Sequence, residues 1–249
     1  MKNSLLVLFL AVQVACLGQK TERVIVQQSD PYDLYANVDQ DSLTLFYEKI
    51  IPEHTPTGVL VIIPGAGEPI REVKQQITLH TLAAQKDLLV VFPSINWGTT
   101  KHTAEHQFLD TIFKQIDQQY KIPKDCYVMG GFSGGGMLAL TYAEKANQHK
   151  DSTFIVPKAI FGIDPPLDYV HLWNHCQKDV ERNFSQAAVR ESKWLMQRYQ
   201  NEFGGSPDEV PRMYVKYSIF SCSEQDGGNA HYLKRTPSCC TRSRMSSGR

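Results

Sequence analysis

An α/β fold, with a mostly parallel sheet and helices on both faces, is what this 249-residue chain predicts. Two observations carry that expectation. Short runs of β-branched and aliphatic residues are continuously apolar instead of alternating, as parallel strands covered on both faces require. Those runs alternate with longer segments of helical period, and strand–helix–strand order closes into a right-handed crossover. The chain is 42% hydrophobic and 21% charged, the composition of one globular domain, so disordered and collagen-like classes are excluded.

The first segment, Met1 to Gln19, has a basic start, an apolar run from Leu5 to Val12 and small residues at its end. It is expected to be a secretory signal peptide, too short to span a bilayer, which makes the protein secreted or periplasmic. Cys16 raises a lipoprotein alternative, but Gln13 stands where such sites place an apolar residue. Ser42 to Tyr47 tends to alternate and suits an antiparallel strand near the sheet edge. Val59–Ile63, Leu88–Phe92, Tyr127–Met129 and Ala159–Ile163 are the expected parallel strands. Between them, Val73, Ile77 and Leu82 form a weak stripe after Pro69. Phe108, Leu109, Ile112, Phe113 and Ile116 form a strong one, and residues 136–146 form a buried helix. A helical insertion or cap is expected over residues 171–203, and an extended segment over Met213–Phe220. One domain is therefore expected over residues 20–237, with residues 238–249 an aberrant basic tail.

Charge and cysteine usage exclude further classes. There are 26 basic and 26 acidic side chains, but residues 234–249 hold five of the basic ones (Lys234, Arg235, Arg242, Arg244, Arg249) and no acid. Removing those five leaves 21 basic groups against 26 acidic, so the body lacks the clustered cations that nucleic acid needs. No long apolar segment suggests a membrane span. Outside the leader and the adjacent Cys239 and Cys240, only Cys126, Cys176 and Cys222 remain, an odd number without regular spacing, so no disulfide framework is expected. Nothing in the chain fixes an oligomeric state.

The chemistry-bearing motif follows the third parallel strand: Gly130-Gly131-Phe132-Ser133-Gly134-Gly135-Gly136, then the buried helix. Residues 131–135 fit G-x-S-x-G, in which a serine on a tight strand-to-helix turn is lifted above the sheet and small neighbours avoid backbone collisions. The flanking strand and helix are the context this motif demands. A tetrahedral oxyanion needs two backbone N–H donors. Gly134 would supply one, and Pro64-Gly65-Ala66-Gly67, directly after Val59–Ile63, would aim Ala66 or Gly67 at the same point.

On these two motifs, residues 40–165 resemble the α/β-hydrolases, specifically secreted bacterial esterases and peptidase-like enzymes. The resemblance implies a Ser, Asp or Glu, His triad in that chain order, with Ser133 as nucleophile, no metal and no cofactor. It implies acyl transfer to water through a Ser133 acyl-enzyme, with a small-molecule or glycan-linked ester as substrate. Downstream of Ser133 the histidines are His149, His171, His175 and His231, and only His231 lies after the cap. His231 is the candidate base, or else a surface helix residue. Asp226 is the candidate acid, or else part of an Asp-Gly-Gly turn. Asp164 and Asp168 better suit substrate binding or helix capping.

The resemblance also implies further strands after residue 233, whereas 238–249 lacks any apolar period and is not expected to add to the sheet. The tail has the composition of an out-of-frame reading. One choice of synonymous codons, shifted by one base, gives an apolar strand ending in a carboxylate. The expectation is therefore a frameshifted, truncated hydrolase whose acid and histidine are lost; a gene with no open downstream frame would refute it. Two alternatives remain. One is a non-catalytic, secreted binding domain. The other is a zinc peptidase using His102-Thr103-Ala104-Glu105-His106, an H-x-x-E-H pattern, with a distant ligand such as Glu181.

Overall fold

A computed structural model of the chain describes residues 19–27, 44–95, 101–149 and 151–241. The leader with Cys16, the start of the expected strand at Ser42, and Arg242, Arg244 and Arg249 lie outside the described residues. Among the described residues no helix is long and apolar enough to cross a membrane.

A seven-stranded sheet organises the molecule. Its strands are β1 (Lys20–Ile25), β2 (Phe46–Ile51), β3 (Gly58–Ile63), β4 (Leu88–Pro93), β5 (Tyr127–Phe132), β6 (Ala159–Ile163) and β7 (Ser238–Thr241). The order is β1-β2-β4-β3-β5-β6-β7. Strands β3 to β7 run parallel, while β2 is antiparallel to both its neighbours. The expected antiparallel strand thus exists, shifted to Phe46–Ile51 and one place inside the edge. The polar segment Lys20–Ile25, where the sequence suggests no strand, covers it.

Alternation along the central strands sorts the core into two layers. Val59, Val61 and Ile63 of β3 face the helices α3 (Thr103–Tyr120) and α4 (Gly134–Gln148), while Leu60 and Ile62 face α1 (Ile70–Gln76) and α2 (Leu79–Ala84). The five apolar residues expected on α3 are all fully buried. The weak stripe after Pro69 breaks into two short helices, and Leu82 ends up exposed.

The segment expected as a cap forms two helices, α5 (Tyr169–Arg182) and α6 (Gln186–Phe203). Both have side-chain N-caps: Asp168 accepts from the N–H groups of Val170 and His171, and Ser185 from that of Ala188. Asp168 therefore caps a helix, one of the two roles the sequence left open.

Two expectations are overturned. Met213–Phe220 is not extended, since Pro211–Tyr217 forms a helix, α7. Pro211 occupies its first turn, where a missing N–H costs nothing. Tyr214 is buried against Phe203 and Trp173, so tertiary packing overrides the β propensity of Tyr-Val-Lys-Tyr. The tail does add to the sheet, because Ser238–Thr241 pairs with β6 as β7. All four of its residues are exposed, and the pairing uses the backbone: Ile160 N–H donates to Pro237 O at 3.0 Å and Asp164 N–H to Thr241 O at 2.7 Å. An edge strand of this kind needs no apolar period, which is why the sequence pattern misses it.

Candidate active site

The carboxyl ends of β3, β5 and β6 form the rim that carries the site, with Ile63 beside Gly131 and Gly131 beside Gly162 in register. Chain leaving β5 turns sharply at Ser133 and enters α4 one residue later. Ser133 has φ +44° and ψ −117°, outside the regions open to L-residues, a conformation costing roughly 1–3 kcal/mol that the surroundings must impose. Its N–H donates to Ile163 O at 2.9 Å and its carbonyl accepts from Met137 N–H at 3.1 Å. The side chain is exposed above the rim.

The flanking glycines are dictated by distance. A Cβ on Gly131 would stand 2.4 Å from Ile63 O, and one on Gly135 would stand 2.3 Å from Pro64 O. Strand β3, the loop after it and the first turn of α4 are thus in backbone contact, and the strained turn follows from that closeness.

The same closeness brings the expected oxyanion donors together. A Cβ built on Gly134 would lie 3.8 Å from Ala66 N. Gly134 opens α4, so its N–H has no acceptor within the helix. The Ala66 N–H has no acceptor among the described residues. Gly67 takes φ +72° and completes the turn, with no atom near its open side, so the geometry favours Ala66 as the second donor.

Glu68 fixes this loop, and sequence reading missed it. One carboxylate oxygen accepts from Gly65 N–H at 3.1 Å, the other from Gln76 Nε2 at 2.6 Å, and the Glu68 N–H returns to Gly65 O at 3.1 Å. A glutamate three residues beyond the glycine that starts a turn is the only signal the sequence offers.

The other half of a triad is not assembled. Among the described residues the Ser133 hydroxyl has no hydrogen-bond partner. His231 sits exposed on a 3₁₀ turn, Gly228–Leu233, with Nδ1 2.6 Å from Gly228 O and its ring against Tyr232. Asp226 is exposed and faces Lys234 at 3.9 Å, and no bond joins it to His231. The turn precedes β7, whereas the resemblance puts the base after the last strand. His149, His171 and His175 are exposed at the end of α4 and on α5.

The zinc pattern falls apart in three dimensions. His102 caps α3 in a left-handed conformation, and its ring centroid is 6.1 Å from that of His106. His106 Nε2 instead approaches Thr141 Oγ1 at 3.3 Å. Among the described residues no three His, Cys, Asp or Glu side chains are grouped to hold a metal.

Beside the oxyanion donors a cavity of about 60 Å³ opens between the rim and the helices α3, α5 and α6. Ala66 and Gly134 line it together with Ile95, Met137, Tyr169 and Tyr199, and His102, Glu105 and Arg198 add polar groups to the wall. Burial pushes His102 down to about 4, holding its ring neutral at pH 7, with Glu202 opposing and Arg198 reinforcing that shift. His106 is likewise held well below the ordinary histidine range by burial.

No protein-family model and no curated protein sequence matches this chain. Solved structures do resemble it. S-formylglutathione hydrolase from Agrobacterium tumefaciens superposes with a TM-score of 0.52 at 13% identity, over 91% of this chain and 89% of that one. Acylaminoacyl peptidase from Pyrococcus horikoshii gives 0.51 at 12% identity, over 92% of this chain. The fluorophosphonate-binding serine hydrolase F of Staphylococcus aureus gives 0.47 at 11% identity over 63%. The chain spans 61% of the Staphylococcus aureus protein and 37% of the peptidase. At these identities the likeness is one of fold, and the fold is that of the α/β-hydrolases.

Proposed function

We propose that this chain, an α/β-hydrolase by fold, is built for acyl transfer to water through an acyl-enzyme on Ser133, with a carboxylic ester as substrate. The observation that carries the reading is the strained elbow: Ser133 at φ +44°, with the Gly134 and Ala66 backbones converging beside it. Attack by the hydroxyl on an ester carbonyl would place the developing oxyanion against those two N–H groups, where fixed donors stabilise it without reorganisation. The S-formylglutathione hydrolase and the acylaminoacyl peptidase share this fold, and esters are favoured over peptides only by the small cavity.

The acid and base are a separate part of the proposal. Strand β7 runs parallel to β6 and delivers Thr241 to the same rim, beside Asp164. A frame-corrected continuation would enter the rim there, where the resemblance puts the triad acid. Sequencing the gene for an open downstream frame tests this. A leader over residues 1–19 that takes the chain out of the cytoplasm belongs to the same proposal, and the N-terminus of exported protein would check it.

The decisive experiment is fluorophosphonate labelling of folded protein together with hydrolysis of p-nitrophenyl acetate, using Ser133→Ala as control. Labelling and turnover that both vanish in the variant would mean that the chain as given holds a working base. A folded protein showing neither would favour the second reading, a non-catalytic binding domain; the partnerless Ser133 hydroxyl and the separation of Asp226 from His231 are what support that alternative.

A further inference from the structure

The unexplained group at this site is His102. It is 9% exposed, lines the cavity beside Ala66 and Gly134, and both ring nitrogens are buried without a hydrogen-bond partner among the described residues. Histidine is polar, so an imidazole buried in this way forfeits the water bonds of two atoms. Its backbone is left-handed, φ +53°, a conformation that directs the first residue before α3 inward and that histidine tolerates better than β-branched residues do. Its partner in the H-x-x-E-H pattern, His106, is turned to Thr141 and Tyr142.

The neighbouring charges do not take up the ring. Arg198 Nε is bonded to Glu202 Oε1 at 2.6 Å, one helical turn along α6. A neutral imidazole offers one donor and one acceptor. The group that answers both is itself donor and acceptor, a hydroxyl or a carboxamide. An anionic group fits poorly, because the carboxyl group of Glu105 shares the wall and Arg198, the cation of the lining, is already bonded to Glu202. At roughly 10–15 Å³ for each water-sized group, about 60 Å³ holds a short chain of about four to six such groups.

We propose that the cavity is an acyl subsite for a short acyl chain ending in a neutral hydroxyl or carboxamide, and that His102 is the residue that recognises that end. This rests on Ser133 being the nucleophile: an ester carbonyl held at Gly134 and Ala66 would direct its acyl chain toward His102. A site built to hydrogen-bond a hydroxyl discriminates strongly against an isostere that lacks it, because its own polar atoms are then left unpaired.

The test uses the full chain carrying Ser133→Ala, so that binding is read without acyl transfer. Methyl 3-hydroxypropionate and methyl butanoate differ only by hydroxyl for methyl at the chain end, and their affinities are compared by ligand-detected NMR. The expected result is about tenfold tighter binding of the hydroxy ester, with the preference lost when His102→Phe is added. Should that variant fail to fold, His102→Gly, which suits the left-handed backbone and carries neither donor nor acceptor, gives the same readout. Equal affinities, or a preference that survives removal of the imidazole, would overturn the assignment. In a third measurement the His102 ring nitrogen shifts should move with the hydroxy ester and not with butanoate; unmoved shifts would mean a contact elsewhere. Wild-type turnover of methyl butanoate is scored separately: its absence, with discrimination intact in the Ser133→Ala chain, would leave His102 as a recognition residue, and absence in a frame-corrected chain as well would remove the acyl role of the cavity.

Discussion

The rim around Ser133 and the segment from Ser221 to Thr241 are held in different ways. At the rim, three backbone segments touch, so closely that a single added carbon on Gly131 or Gly135 collides with main-chain oxygen. Strain at Ser133 persists because the neighbours over-determine it. In the later segment Asp226, His231 and β7 are exposed, and their partners are a lysine at 3.9 Å, a local carbonyl and edge-strand backbone bonds. The Ser133 turn and the loop at Ala66 are therefore fixed by packing, whereas Asp226 and His231 are fixed by little. A site can be prepared for one half of its chemistry by core geometry alone.

The comparison yields predictions of decreasing size. Gly135→Ala should break the first region outright: overpacking against Pro64 and Ile63 is expected to cost about 3 kcal/mol, read from urea unfolding. Recovery of full stability would mean that the rim is looser than its distances say.

Glu144 lies on α4, eleven residues past the elbow, with a buried carboxyl oxygen that has no partner. Burial pushes it up to about 9 from 4.5. The sign follows from linkage: between those values the unfolded chain ionises and the folded chain does not, so stability present below pH 4.5 is lost as pH rises toward 9. At pH 7 the loss is about 3 kcal/mol. Glu144→Gln should raise the Tm at pH 7 and leave it unchanged near pH 4; a gain independent of pH would contradict this assignment.

In a chain that turns over ester, as given or frame-corrected, Glu68→Ala should lower kcat by about tenfold with little change in KM. The substitution frees the Gly65 N–H and the Gln76 amide, and so loosens the loop that presents Ala66. A change confined to KM would move Glu68 from positioning the oxyanion donors to binding substrate.

The smallest effects belong to the second region. Asp226→Ala and His231→Ala should each alter stability by no more than about 0.5 kcal/mol, as exposed surface changes do. Neither should alter fluorophosphonate labelling of Ser133. Loss of labelling in His231→Ala would make it the base after all, and would require the 3₁₀ turn to move.

The strands β3 to β6, the helices α3 and α4, and the elbow with its oxyanion loop were legible because each is written locally. Continuous apolar runs, a 3.6-residue stripe and glycines at fixed offsets survive without knowledge of neighbours. The failures share the opposite cause. Helix α7 depends on Tyr214 finding Phe203 and Trp173, β7 borrows its order from the edge of β6, and β1 from β2. The histidines of the zinc pattern have the right spacing, but His102 is the left-handed residue before the helix and not part of its face.

The α/β layering, the strained turn at Ser133 and the glycines around it are written in the sequence. Periodicity and glycine placement encode backbone contacts directly, which is why these could be read. Only the tertiary structure decided that Ala66 meets Gly134, that Glu68 ties the loop, that Asp226 and His231 stay apart, and that His102 ends in a cavity with nothing to bond. Those outcomes rest on distances between residues far apart in the chain, and no local pattern fixes such distances.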